Sequence, residues 1–127
     1  MNLEKVVFGF FILLALTLNF GFFIGDIDNP DHHNVYELFA ALVVSLIATI
    51  MKFGERTQIG AVLLASSLVA DLQLIIAAIL WTLAAHVFDS GMTPALMASI
   101  VSLSGGALLA NVISTVLLTV ETVNMQR

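Results

Sequence analysis

The sequence predicts an all-α, polytopic integral membrane protein whose four transmembrane helices form an up-down bundle with short loops. Three observations carry this prediction. Of 127 residues, 60% are hydrophobic and 10% charged, against about 25% charged in ordinary soluble domains. The apolar residues gather into four long stretches separated by polar breaks, and roughly 20 apolar helical residues cross a hydrocarbon core of about 30 Å. All four basic residues, Lys5, Lys52, Arg56 and Arg127, fall on one side of a four-crossing topology, as expected for the cytoplasmic side.

The first span is residues 6–24. It is longer than the roughly 7–15 apolar residues of a signal peptide, and the acidic loop after it has no small-residue cleavage pattern, so it reads as a membrane helix. The second span covers residues 35–53, with Asn34 as its N-cap and Glu37 at the third helical position, where a carboxylate complements the helix dipole. Residues 58–87 form the third stretch. At about 1.5 Å per residue this is near 45 Å, so the stretch must tilt, protrude, kink or break near Asp71. The fourth span, residues 94–120, starts at Pro94, which suits a first helical turn. The whole chain is a single transmembrane domain. Its competing topology has five crossings, with the third stretch split into a re-entrant pair.

Charge segregation orients the bundle. An odd number of spans would put Arg127 opposite Lys5, so an even count is favoured, with both termini cytoplasmic in a plasma or bacterial inner membrane. The other side carries Asp26, Asp28, Asp31 and Asp89 and no Lys or Arg. The net charge of −5 therefore describes loops rather than a soluble acidic surface. Four basic residues are too few to track phosphates, so nucleic acid is not an expected partner. With no cysteine, disulfides and thiolate sites are excluded.

Helices in lipid associate through small residues, because lipid tails are as apolar as leucine. In the fourth span Ala98, Ser102, Gly106, Ala110 and Ser114 recur every four residues, and shorter versions occur as Ala41, Ser45, Thr49 and as Ser66, Ala70. Such stripes hold one protomer together or build a homo-oligomer, and two independent stripes favour the latter.

The residue that points most directly to function is Asp71, midway along the third stretch. An ionised carboxylate at a helix centre costs about 2.5–3.5 kcal/mol to insert, so a functional role is the default reading. Ser67 lies one turn before it on the same face, Asn111 of the fourth span is the expected cross-helix partner, and Asn19 sits in the first span nearer the outer side. No basic residue lies at that depth. Asp71 is then protonated, hydrated or cation-bound, and serves either as interhelical glue or as a site in an ion pathway.

The outer loop holds Asp26, Asp28, Asp31 and Glu37 with His32 and His33. Carboxylates suit hard cations and imidazoles suit zinc, copper or nickel, but Pro30 and Asp31 occupy positions where an EF-hand needs a ligand and a glycine. A solvated turn is the plainer reading. In a cyclic oligomer the same acids would ring a pore mouth and concentrate inorganic cations.

Length and four-helix topology resemble those of the small multidrug-resistance transporters. That family's essential intramembrane carboxylate belongs to its first helix, where this chain has Asn19 and no acid, so no residue role carries over. The chain has no nucleophile triad, phosphate loop, dinucleotide fingerprint or paired intramembrane acid. Enzyme activity and an organic cofactor are not expected. The leading expectation is a small homo-oligomeric cation channel or transporter with an acidic outer mouth. The alternative is a non-catalytic accessory subunit packed against a larger membrane partner.

Overall fold

The computed structural model describes residues 3–53 and 57–125. Its helices are α1 (Leu3–Phe23), α2 (Val35–Lys52), α3 (Gln58–His86) and α4 (Pro94–Met125), with one 3-10 turn at Pro30–His32. Each α-helix is long and apolar enough to cross a membrane. Arg56 and Arg127, half of the basic quartet that orients the sequence, lie outside the described residues.

Local chemistry sets the helix ends. Gly25, at φ +108°, turns the chain out of α1 in a conformation that side chains rarely adopt. Asn34 caps α2 by accepting from the Tyr36 amide at 2.8 Å, and Thr57 caps α3 by accepting from the Gly60 amide at 2.9 Å. At the start of α4, the Thr93 hydroxyl accepts from the Leu96 amide at 3.1 Å and Pro94 takes the first helical position, where no amide hydrogen is needed.

The helices close into a ring in which α1 packs on α2 and α4, and α3 packs on α2 and, most extensively, on α4. Burial runs opposite to that of a soluble bundle. Phe10, Leu13, Val43, Ile50, Leu72, Ile79, Leu109 and Ile113 face outward, while Asn19, Ser45, Thr49, Ser66, Ser67, Asp71, Ser104, Asn111 and Ser114 are buried. Lipid solvates the first set, whereas polar groups at that depth must find partners inside the protein. Two apolar clusters flank these polar groups. One contains Phe22, Leu38, Ala70, Leu74, Met97 and Ala107, the other Phe8, Ile12, Ala48 and Leu63.

Two sequence expectations are refined. The third stretch is one unbroken helix of 29 residues with Asp71 inside it. It neither breaks at the aspartate nor folds into a re-entrant pair, because the carboxyl finds partners on α2 without opening its own backbone. Helix α4 runs beyond residue 120 to Met125, carrying Glu121 into the bundle, where two lysines offset its charge.

Candidate functional site

Asp71 is 4% exposed. Its Oδ1 lies 2.6 Å from the Ser45 hydroxyl and its Oδ2 lies 2.5 Å from the Thr49 hydroxyl. Ser45 and Thr49 stand one turn apart on α2, so both face the same point on α3. The Thr49 hydroxyl is also 2.9 Å from the Ser45 carbonyl. A hydroxyl has one hydrogen, so Thr49 cannot donate to both oxygens at once. With a proton on Oδ2 every hydrogen has a place: the carboxyl donates to Thr49, Thr49 donates to the Ser45 carbonyl, and Ser45 donates to Oδ1.

Neither Ser67 nor Asn111, the partners anticipated for Asp71, is among the groups hydrogen-bonded to it. Ser67 is 2% exposed, and its hydroxyl has no hydrogen-bond partner. Asn111, also 2% exposed, has an unpartnered amide nitrogen. Asn19 is fully buried and accepts from the Ser104 hydroxyl at 2.5 Å, with its own amide nitrogen unpartnered. Between α3 and α4, the Ser66 and Ser114 hydroxyls meet at 2.7 Å. Ser45 and Thr49 read from sequence as a packing stripe. Two hydroxyls at i and i+4 inside an apolar helix are also the spacing of a two-donor clamp, which is the signal that could have found them.

The four-residue stripe on α4 does not keep to one face. Each step of four residues advances about 40° around a helix of 3.6 residues per turn. Ser102 is accordingly exposed and Ala98 and Gly106 half-buried, while Ala110 and Ser114 are buried. What approaches Gly106 is the Gln73 side-chain amide.

A second polar cluster closes the end where α1 begins and α4 finishes. Lys5 donates to Glu121 Oε1 at 2.5 Å, and the Lys52 ammonium lies 3.6 Å from the same oxygen and 4.7 Å above the Phe8 ring. From sequence, Lys52 read only as a topology signal, yet it is 7% exposed, as is Glu121. These groups border a cavity of about 630 Å³ that Thr57, Gln58 and Asn124 also line. From Gln58 to Asp71 is 13 residues along α3, about 20 Å, and Ser66 and Ser67 fall between them.

At the opposite end Asp26, Asp28 and Asp31 are exposed, while the Glu37 carboxylate folds against Gly21 of α1. His32 and His33 do not converge as metal ligands. His32 Nδ1 accepts from the Asp26 amide, and both ring nitrogens of His33 lie against backbone carbonyls. No group of three His, Cys, Asp or Glu side chains suited to a metal ion occurs among the described residues.

Fold and site together define a polytopic α-helical membrane protein whose bundle encloses one carboxyl between hydroxyls. The chain belongs to a family of unknown function, DUF6394, whose sequence profile matches residues 32–122. That range contains Ser45, Thr49, Asp71, Asn111 and Glu121 and omits α1. No curated protein matches the chain, and no solved structure does.

Proposed function

We propose that this protein is a small homo-oligomeric membrane transporter or channel for cations, with Asp71 as an intramembrane site that takes up and releases a proton. The observation that carries this reading is the pair of hydroxyls on the carboxyl. A hydroxyl donates or accepts by rotating about one bond, so Ser45 and Thr49 can serve Asp71 with or without its proton while no heavy atom moves. A lysine or arginine partner would hold the charged form alone. The 630 Å³ cavity supports access from the end bearing Lys5 and Glu121, and the exposed acids of the opposite loop would draw cations to an outer mouth.

The outward-facing small residues Ala95, Ser99 and Ser102 of α4 would let another helix approach closely, and this supports assembly with further copies. The same surface fits the second reading, an accessory subunit on a larger membrane partner in which Asp71 only ties α2 to α3.

Purified protein in liposomes carrying a pH-sensitive dye, under an imposed potential, tests the proposal. Wild type is expected to pass protons or to exchange them for sodium, potassium or calcium, and Asp71→Asn to abolish this. Absence of flux for all four ions from correctly folded wild type would sink it. A stoichiometric larger partner recovered at native expression would favour the second reading.

A further inference from the structure

Ser67 Oγ and Asn111 Nδ2 have no hydrogen-bond partner within the protein, and each residue is 2% exposed. Buried polar groups are seldom left so. Two contacts fix how α4 lies along α3. Ser114 meets Ser66 at 2.7 Å, and Gly106 faces the Gln73 side-chain amide. On that antiparallel register Asn111, three residues before Ser114, stands level with residue 69 of α3, midway in depth between Ser67 and Asp71.

Rotation agrees with depth. At about 100° of turn per residue, Asn111 lies about 60° round α4 from Ser114, which meets α3, and about 20° from Ser104, which meets Asn19 of α1. Its side chain therefore faces the middle of the bundle. By the same geometry Ser67 lies about 100° round α3 from Ser66 and about 40° from Asp71, which faces α2. Its hydroxyl faces the middle too. Ala70 and Ala110, both buried between the three polar groups, end at Cβ and leave room there.

We propose that one ordered water is bound inside each protomer by Ser67, Asn111 and the Asp71 carboxyl, tying α4 to the α2–α3 clamp. Side chains one helical turn apart, such as Ser67 and Asp71, have Cβ atoms about 5–6 Å from each other. A water making two hydrogen bonds of about 2.8 Å spans that distance. Three partners is the usual number for a buried water. It accepts from the Asn111 amide and donates to Asp71 Oδ1, which takes one hydrogen from Ser45 and keeps a second lone pair. The Ser67 hydroxyl rotates to complete the set. A metal cation cannot accept from an N–H, so these groups suit water better. Leu63 of one apolar cluster and Leu74 of the other bound the site along α3 and stay dry. Unlike Ser45 and Thr49, a water is tethered to no helix. On the reading that Asp71 takes up and releases a proton, it is the neighbour able to exchange with other waters, but the site itself does not rest on that reading.

The test uses the full chain in lipid bilayers and solid-state NMR spectra edited for magnetisation that passes from water protons to side chains. In wild type the transfer is expected at Ser67 and Asn111 and not at Leu63 or Leu74. Asn111→Leu should abolish the transfer to Ser67 and lower the thermal unfolding midpoint. A dry, unpartnered amide would give the reverse, since an apolar side chain of similar size relieves it, so a raised midpoint overturns the proposal. Absence of transfer to Ser67 and Asn111 in wild type also overturns it. So does transfer that vanishes when sodium and potassium are exchanged for N-methylglucamine, which would assign the site to a metal cation. The wild-type spectra decide the matter even if the variant fails to fold, and they need no ion flux, so a failure of transport leaves the water site standing.

Discussion

Thr49 of α2 and Asp71 of α3 meet at 2.5 Å inside the bundle, and the Thr49 hydroxyl is also within 2.9 Å of the Ser45 carbonyl. Asp71→Asn replaces one carboxyl oxygen by a donor and keeps the other as an acceptor, so it preserves the closed hydrogen-bond set. Its detergent unfolding midpoint should stay near that of wild type. Asp71→Leu has no acceptor for Ser45 and should cost about 1–3 kcal/mol, the range for an unsatisfied buried polar group. Equal stability of the two variants would contradict the clamp.

The Glu121 carboxylate is shared by Lys5 and Lys52. Glu121→Gln takes the negative charge from beside a lysine that is 7% exposed, and should destabilise the protein by at most the roughly 3–5 kcal/mol of breaking a fully buried pair, since the cluster borders a cavity. Lys52→Met added to it should recover part of the loss, because the lysine no longer needs a counter-charge. A double-mutant cycle in chemical denaturation measures the coupling.

Between Ser66 and Ser114 the direction of the hydrogen bond can be deduced. Ser66 donates its one hydrogen to the Leu63 carbonyl at 2.9 Å, so Ser114 is the donor across the 2.7 Å contact. Ser66→Ala strands the Ser114 hydroxyl and should cost about 1–2 kcal/mol, whereas Ser114→Ala leaves Ser66 with its carbonyl and should cost less. Thermal unfolding in a fixed detergent orders the two.

Gly106 is occupied from α3 by the Gln73 amide, which a Cβ would strike. Because only the far end of this flexible side chain has to move, Gly106→Ala should weaken the α3–α4 contact by about 1 kcal/mol, the low end of the range for overpacking. Gln73→Ala should relieve the clash, so that the double variant is closer to wild type than Gly106→Ala alone. Failure of that rescue would show that helix backbones, not Gln73, limit the approach.

Helix number, approximate spans, the cap at Asn34 and the helix start at Pro94 were legible in the chain, because the cost of placing backbone and charge in hydrocarbon is large and local. The same reasoning singled out Asp71, an acid in the middle of an apolar run. Its partners were not legible. Ser67 and Asn111 are the natural choices by sequence spacing and antiparallel register, yet the bonds run to Ser45 and Thr49, because relative helix rotation and tilt set which hydroxyls reach the carboxyl. Helix α4 makes the same point, since a regular four-residue stripe winds from its exposed face at Ser102 to its buried face at Ser114. Lys52, too, read as a loop charge until Glu121, 69 residues later, came beside it. The sequence by itself determined which groups must leave lipid, because solvation is a property of each residue. Only the tertiary structure decided how they pair, because a hydrogen bond depends on a few tenths of an ångström between helices that sequence spacing does not specify.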